Sequence, residues 1–122
     1  MKTIMVVDDE KTICRMVARS LEYHGYHVLH ADSAQGGLEC FKRHSRVIEL
    51  VVTDILMPAM SGPEMVECIL REKSSMKVLF MTGYNARDKL PDWQRNRFEV
   101  LGKPFTAQAL ANAVRRCLDD AV

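Results

Sequence analysis

Four short segments of this sequence end at residues that can do chemistry. Ile4–Val7 is followed by two aspartates, and Leu50–Val52 is followed closely by a third. Two later segments, Lys77–Met81 and Phe98–Leu101, end at a hydroxyl and just before a lysine. The five side chains concerned are those of Asp8, Asp9, Asp54, Thr82 and Lys103. In open α/β sheets, ligands bind outside the carboxyl ends of the strands, which is where these residues would lie.

Three carboxylates, a hydroxyl and a lysine at one sheet edge are suited to phosphoryl chemistry. Clustered carboxylates repel one another unless a cation neutralises them. Oxygen ligands favour a hard divalent ion, and Mg²⁺ takes one or two carboxylates while keeping several waters. Beside such an ion, Lys103 and Thr82 would cradle a phosphoryl group that Asp54 could attack as a nucleophile. Taken by itself, Asp54 could equally just end a strand; the other four residues favour the chemical interpretation.

Alternating strand and helix patterns supply the frame that would position these residues. Strands are predicted at Thr3–Val7, His27–His30, Leu50–Asp54, Lys77–Met81 and Phe98–Leu101, with the second at a sheet edge. Helices are predicted from Lys11 to Gly25, after Ser33, after Gly62 and after Thr106, with a short or irregular one between Tyr84 and Arg97. Asp8 or Asp9 is expected to cap the first helix, and Arg46–Glu49 to connect to the third strand. Five such alternations predict a parallel sheet covered by helices on both faces, an α/β fold with right-handed crossovers.

The composition is that of one globular domain over residues 1–122. A net charge of +1 gives no electrostatic reason to expect binding to nucleic acid or to a membrane. The four cysteines lack metal-ligand spacing and are expected to be reduced thiols. No apolar run approaches the ~20 residues of a membrane span, and Asp8 stops the first run too early for a signal peptide. A cytoplasmic location is therefore expected.

In its motifs the sequence resembles the receiver domain of two-component response regulators. The motifs are, in order, Val6–Glu10, Thr53–Pro58, Met60–Gly62, Met81–Gly83 and Lys103–Phe105. Each is weak alone, but their order and spacing are specific, and the resemblance covers essentially all 122 residues. It implies a flavodoxin-like fold with five helices around a five-stranded sheet of order 2-1-3-4-5. It also implies a phosphoacceptor switch in a two-component phosphorelay rather than an enzyme.

The resemblance assigns the metal and phosphoryl roles by position. Asp54 would accept a phosphoryl group from a phosphohistidine on a sensor histidine kinase or phosphotransfer domain. The transfer would depend on Mg²⁺ and be followed by slow autodephosphorylation. Asp9, Asp54 and the backbone carbonyl of Leu56 would bind the Mg²⁺ directly, and Asp8 would act mostly through water.

The remaining site residues would read the phosphoryl group. Thr82 resembles the switch hydroxyl that moves to hydrogen-bond it, and Lys103 resembles its cationic partner, joined to Pro104 by a bond expected to be cis. The altered surface would be recognised by a downstream output protein or domain, and homodimer formation is left open. The stretch after Met81 resembles receivers of hybrid histidine kinases, so a stand-alone regulator, a response regulator fragment and a hybrid kinase fragment all remain alternatives.

Two positions depart from the family pattern. Many members have an aromatic residue three positions before the lysine, where this chain has Val100, with Phe98 two residues earlier and expected on the same face. Many also have a polar residue two positions after the phosphoacceptor, where this chain has Leu56. Leu56 also argues against the rival reading as a haloacid-dehalogenase-type phosphatase, which would need a second aspartate there as general acid. A third reading, a degenerate receiver that serves only as an interaction module, is opposed by the five retained site residues.

Overall fold

Five parallel strands form a single sheet in the computed structural model of the chain, which describes residues 1–83 and 86–119. The strands are β1 (Thr3–Val7), β2 (His27–Ala31), β3 (Ile48–Asp54), β4 (Val78–Thr82) and β5 (Glu99–Gly102). They lie in the order β2-β1-β3-β4-β5 and all pairs are parallel. This order confirms the doubly wound, flavodoxin-like architecture that the motifs implied.

Five α-helices are present in the described part of the chain. They are α1 (Lys11–Tyr23), α2 (Ala34–His44), α3 (Gly62–Glu72), α4 (Asp92–Arg97) and α5 (Ala107–Asp119). The short or irregular helix predicted between Tyr84 and Arg97 is a 3₁₀ turn at Arg87–Lys89 followed by α4; Tyr84 and Asn85 lie outside the described residues. Among the described helices, none combines the length and the hydropathy that crossing a membrane requires.

Side chains alternate along the central strands and pack into two cores, one on each face of the sheet. On β1, Met5 and Val7 join the core that includes α2 and α3, whereas Ile4 and Val6 join the core that includes α1 and α5. All four side chains are fully buried. Because helices cover both faces, the central strands are continuous apolar runs rather than alternating ones, as the sequence indicated.

The predicted helix boundaries at three polar or small residues are confirmed. The side chains of Ser33 and Thr106 each accept a hydrogen bond from the backbone N–H three residues later, at 3.0 Å, and so cap α2 and α5. Gly25 follows α1 with a φ of 93°, a conformation that glycine adopts without steric cost.

The prediction that an aspartate caps α1 is wrong. The N-cap residue is Glu10, and its side chain makes no capping hydrogen bond. Asp8 instead accepts a hydrogen bond from the backbone N–H of Glu10 at 2.9 Å and a second one from Lys103. The lysine charge holds this carboxylate at the sheet edge, so it is not available to the helix.

The bounds of β2, β3, β4 and β5 also differ from the prediction by one or two residues, and two of these differences have a clear cause. β3 begins at Ile48 rather than at Leu50, because Ile48 is fully buried and pairs with Thr3 of β1. The single polar residue Glu49 hides this extension in the sequence, so part of the predicted connection belongs to the strand. Phe98 precedes β5 because its backbone N–H donates to the Gln94 carbonyl at 2.9 Å and closes α4.

Gly62 opens α3 where the chain passes back over the end of β3, and it yields a stability prediction. A Cβ added at Gly62 would lie 2.0 Å from the backbone oxygen of Asp54. The loop must therefore shift in Gly62→Ala, and we expect the free energy of unfolding in urea to fall by about 1–3 kcal/mol. In the control Gly102→Ala the added Cβ meets nothing within 4 Å, so its change should stay within about 0.5 kcal/mol. Equal losses in the two variants would contradict this account.

Candidate phosphoryl-transfer site

Lys103 is the residue that joins the strand ends into one site. Its ammonium Nζ donates to Oδ2 of Asp8 at 2.9 Å and to Oδ2 of Asp54 at 3.2 Å. Its backbone N–H donates to the Thr82 carbonyl at 2.7 Å, which fastens the end of β5 to the end of β4. The lysine side chain is 15% exposed and the two carboxylates less, so these ion pairs are largely shielded from water. The convergence predicted from the strand ends is therefore confirmed for these four residues.

Asp54 is held by two different partners on its two carboxylate oxygens. Oδ2 faces Lys103, while Oδ1 accepts a hydrogen bond from the backbone N–H of Ile55 at 2.8 Å. The carbonyl of Ile55 in turn accepts from the backbone N–H of Gly62 at 2.8 Å, and this bond closes the loop after β3. The carboxylate thus has a set orientation, and the acid is presented at the carboxyl end of the sheet.

A second and a third carboxylate complete the acidic cluster. One oxygen each from Asp8, Asp9 and Asp54 lies within 4.8 Å of the others. Asp8 and Asp54 are buried, whereas Asp9 is exposed. Carboxylate oxygens are the donors that Mg²⁺ prefers, and one or two of these three aspartates would suffice as direct ligands beside several waters.

Burial and the charges of neighbouring groups shift the pKa values of Asp54 and Lys103. Burial raises the pKa of the Asp54 carboxyl above its usual range; the charge of Lys103 opposes that rise, and the charge of Asp8 adds to it. Burial also acts to lower the pKa of Lys103, but its hydrogen bonds to and attraction by Asp8 and Asp54 outweigh burial and raise that pKa. The lysine is therefore charged, while a single cation faces two buried carboxylates. The excess negative charge favours a further cation.

Thr82 lies at the same edge but is turned toward its own backbone. It ends β4, is 6% exposed, and its hydroxyl donates to the Gly83 carbonyl at 3.0 Å. The same carbonyl accepts from the backbone N–H of Ala86 at 3.3 Å. A new acceptor near Asp54 would therefore compete for the hydroxyl with a carbonyl that also anchors the segment leading to α4.

The two departures from the family pattern have clear positions in the structure. Leu56 is 49% exposed, so an apolar side chain stands beside the acid; its backbone carbonyl stays a predicted metal ligand. Phe98 and Val100 both pack in the core beside α3, which confirms that they share a face. The ring that fills this region is that of Phe98, edge-on to Phe80 with centroids 6.1 Å apart. The Lys103–Pro104 peptide bond is cis, as expected.

Sequence reasoning missed the supporting residues of the site. The backbone N–H of Ile55 and the close approach of Gly62 carry no signal beyond the residue types of a turn. Gln94, fully buried in α4 and bonded to the Pro63 carbonyl at 3.1 Å, was missed entirely because it lies in a polar stretch. The sequence does not distinguish a buried glutamine from a solvent-exposed one, so the role of Gln94 is visible only from the packing.

Comparison with known families decides what this constellation is. A family model described as the response regulator receiver domain matches residues 4–115. The chain belongs to this family. This receiver domain is a component of two-component signalling, in which such domains serve as phosphoacceptors, and it is not a conventional enzyme. Receiver domains of this family bind Mg²⁺ at an acidic pocket, and the cluster described above has that composition.

Relatives of this receiver domain include both small regulators and parts of large proteins. The response regulator receiver protein CpdR of Brucella abortus is 33% identical over 119 residues, covering 97% of this chain and 98% of CpdR. The sensor kinase CckA of the same organism is 31% identical over 122 residues, but these form only 12% of the kinase. The transcriptional regulatory protein YvrH of Bacillus subtilis is 35% identical, with 47% of its length covered. The chain thus spans nearly all of the first relative and less than half of the other two.

Solved structures agree with this assignment at the level of the fold. A response regulator receiver domain from Clostridium thermocellum superposes with a TM-score of 0.90 at 33% identity, covering 98% of this chain and 95% of the other. The response regulator TrrA from Thermotoga maritima, whose structure is a complex with Mg²⁺ and BeF, gives a TM-score of 0.84 at 33% identity. That comparison covers 97% of this chain and all of TrrA.

The raised pKa of Asp54 predicts how Asp54→Asn changes stability without Mg²⁺. The carboxyl is more readily protonated in the folded chain, so its charge destabilises the fold above the folded-state pKa. Asparagine resembles the protonated acid. We therefore expect a higher free energy of unfolding for the variant at neutral pH. The difference should shrink as the pH falls through the raised folded-state pKa and should be gone below ~4, the ordinary pKa of aspartate.

Urea unfolding of the wild type and Asp54→Asn across this pH range, in the presence of a chelator, measures the effect. Asp32→Asn is the matched control, because Asp32 is 60% exposed and its ion pair with Lys11 is long, at 4.0 Å. This variant should change the free energy of unfolding by less than about 0.5 kcal/mol. A destabilised Asp54→Asn at neutral pH would show that the lysine pair, not burial, dominates.

Proposed function

We propose that Asp54 is the phosphoacceptor of this receiver domain and takes its phosphoryl group from a phosphohistidine. The donor would be a sensor histidine kinase or a phosphotransfer domain. The observation that carries the proposal is the bridge made by Lys103, which brings the acids at the ends of β1 and β3 to one point. Asp54 is oriented by a hydrogen bond on each oxygen, as a nucleophile in an in-line displacement needs to be.

One bond forms and one bond breaks in the proposed transfer. An Asp54 oxygen attacks phosphorus and forms a P–O bond while the P–N bond to the imidazole breaks. The electron pair of the P–N bond stays on the ring nitrogen, which takes up a proton. Negative charge shifts among the phosphoryl oxygens during this step. Lys103 lies 3.2 Å from Oδ2 of Asp54, so it is placed to meet that charge once the phosphoryl group occupies the site. The same site would support the slow autodephosphorylation expected of a receiver.

The proposed metal is Mg²⁺, bound directly by Asp9, Asp54 and the Leu56 carbonyl, with Asp8 acting through water. When bound, the ion would neutralise the excess charge of the acidic cluster and stabilise the phosphoryl oxygens electrostatically. Burial and bonding support this division of roles. Asp9 is exposed and free to take a ligand, whereas Asp8 is fully buried and already holds Lys103 and the Glu10 N–H.

The signal would leave the site through Thr82 and the segment that follows it. A phosphoryl group on Asp54 offers the Thr82 hydroxyl an acceptor in place of the Gly83 carbonyl, to which it now donates. The changed surface would be read by an output protein or domain, or by a second copy of the chain in a homodimer. The part-length matches support either a stand-alone regulator like CpdR or one domain of a hybrid kinase like CckA.

We further propose that the domain works in the cytoplasm. The four cysteines lie within the described residues and none of them forms a disulfide, which suits a reducing compartment.

Phosphorylation with acetyl phosphate and Mg²⁺ tests the acceptor. Wild type should incorporate acid-stable, hydroxylamine-labile phosphate, and Asp54→Asn should incorporate essentially none, because the amide is not a nucleophile. Asp88→Asn, a change at an exposed aspartate between β4 and α4, is the matched control and should label like wild type. Labelling of Asp54→Asn at the wild-type level would overturn the assignment.

Mg²⁺ titration monitored by thermal unfolding tests the ligands. Binding should stabilise the unphosphorylated wild type by mass action, by about 2.7 kcal/mol when free Mg²⁺ is a hundred times Kd. Asp9→Ala should weaken binding more than Asp8→Ala, since Asp9 is the proposed direct ligand, and Asp88→Ala should leave it unchanged. Equal Mg²⁺ affinity in wild type and Asp9→Ala would remove Asp9 from the ligand set.

A further inference from the structure

Gln94 is the most unusual polar residue outside the phosphoryl site. It lies in the middle of α4 and is 0% exposed. Its Nε2 donates to the Pro63 carbonyl at 3.1 Å, but its Oε1 is the one buried side-chain oxygen or nitrogen atom in the described chain that lacks a hydrogen-bond partner. Buried polar atoms of this kind are rare in native proteins, and each one calls for a physical reason.

The orientation of the Gln94 carboxamide follows from its neighbour. Proline has no backbone N–H, so Pro63 can only accept a hydrogen bond. The carboxamide therefore turns its NH₂ group toward Pro63, because exchanging the two ends would lose that bond. In this arrangement of α4, Gln94 makes the hydrogen bond to Pro63 while its Oε1 is left without a donor.

A short run of hydrogen bonds connects Gln94 to the phosphoacceptor. Oδ1 of Asp54 accepts from the Ile55 N–H at 2.8 Å, and the Ile55 carbonyl accepts from the Gly62 N–H at 2.8 Å. Gly62 is followed directly by Pro63, whose carbonyl holds Gln94. The loop after β3 and the helix α4 are thus tied together through buried polar groups that begin at the Asp54 carboxylate.

Phosphorylation would weaken the first bond in this run. A carboxylate oxygen accepts a charge-assisted hydrogen bond. In an acyl phosphate the remaining carbonyl oxygen is neutral, because the negative charge lies on the phosphoryl oxygens, and it is a weaker acceptor. The Ile55 N–H, which also donates to the Met81 carbonyl at 3.2 Å, keeps that bond but has a weaker acceptor at Asp54. The loop between Ile55 and Pro63 therefore loses part of what fixes it. At the other end of the segment, the Gly83 carbonyl, which holds the Ala86 N–H at 3.3 Å, would lose the Thr82 hydroxyl.

We propose that Gln94 is a positioning residue that couples α4 to the phosphoacceptor loop, on the basis of the proposed phosphorylation of Asp54. In the unphosphorylated chain it holds α4 against the Pro63 carbonyl with its own Oε1 unpaired. When the loop is released, the carboxamide moves to a second arrangement in which Oε1 also gains a partner. The two arrangements give α4 the two states that a switch requires.

The Gln94 carboxamide can be observed directly in the full chain by ¹⁵N NMR. Without phosphoryl mimic, its NH₂ protons should exchange with water more slowly than those of Gln108, which is exposed on α5 and bonded to Asn112. Adding beryllofluoride and Mg²⁺ should shift the Gln94 NH₂ resonances and leave those of Gln108 in place. Loss of the resonances in Gln94→Met gives their assignment.

The same variant tests coupling by hydrogen exchange. Methionine keeps the length of the side chain but removes both the donor and the unpaired acceptor. Beryllofluoride should change exchange in Asp92–Arg97 of the wild type by about two- to tenfold, the range for one hydrogen bond, and this response should be lost in Gln94→Met. The control Gln108→Met should respond like wild type. Gln94→Met and wild type should bind beryllofluoride equally well, because Gln94 does not touch the site.

The outcomes separate the two proposals. Wild type that binds beryllofluoride with no change at the Gln94 carboxamide, or an equal exchange response in Gln94→Met, overturns the role of Gln94 and leaves the phosphoacceptor intact. If Gln94→Met fails to fold, the Gln94 carboxamide is assigned in the wild type by triple-resonance NMR, and its shift on adding beryllofluoride decides. Failure of wild type to bind beryllofluoride or to be labelled at Asp54 overturns the proposed function and, with it, the coupling.

Discussion

The structure depends on one ammonium group placed between two buried carboxylates. Asp8 and Asp54 end neighbouring strands of a parallel sheet, so the fold itself brings their charges together. Without a cation between them, burial and mutual repulsion would both oppose ionisation. Lys103 supplies that cation from the end of β5, at 2.9 and 3.2 Å. Its backbone bond to Thr82 adds the fourth strand to the same point.

The lysine compensates the acids only in part, and this suits the chemistry of a receiver. Full neutralisation would leave no electrostatic reason for a divalent cation to bind. Two buried carboxylates face one ammonium, and the remaining negative charge makes the site receptive to a hard cation. Burial raises the pKa of Asp54, while the charge of Lys103 opposes that rise and favours the carboxylate form that attacks phosphorus. Orientation comes from elsewhere: the Ile55 N–H fixes one oxygen of Asp54, and Gly62 allows the loop to pass close to its backbone.

Stability is distributed unevenly around this site. The central strands are enclosed between two cores, whereas α4 is only six residues long. Its anchors include Phe98, the hydrogen bond of Gln94 to Pro63 and that of Arg97 to the Ser74 carbonyl. The Phe98 ring packs edge-on against Phe80, and Val100 is a partly buried neighbour in the same core. A short helix with few anchors is where a small change at the strand ends can move structure at low cost.

The sequence by itself determined the fold class and the order of elements, and it singled out the five residues of the candidate site. Apolar runs of strand length that alternate with apolar helical stripes predict a parallel sheet covered by helices. Such a sheet brings the carboxyl ends of its strands to one edge. The family motifs then supplied the strand order. These inferences rest on local periodicity and on chain direction, and both can be read from residues that are close together in the sequence.

Only the tertiary structure decided which atoms meet. The sequence predicts that Asp8 or Asp9 caps α1 and that Asp8 and Lys103 lie at one sheet edge, but only the structure shows that Asp8 bonds to this lysine, 95 positions away in the chain, and that neither aspartate caps the helix. Ile48 joins β3 because β1 offers it a partner, and Gln94 is buried because α4 packs against the start of α3. The physical reason is the same in each case. A polar side chain can bond to solvent, to its own turn or to a distant carbonyl, and the choice depends on burial and long-range partners that no local pattern encodes.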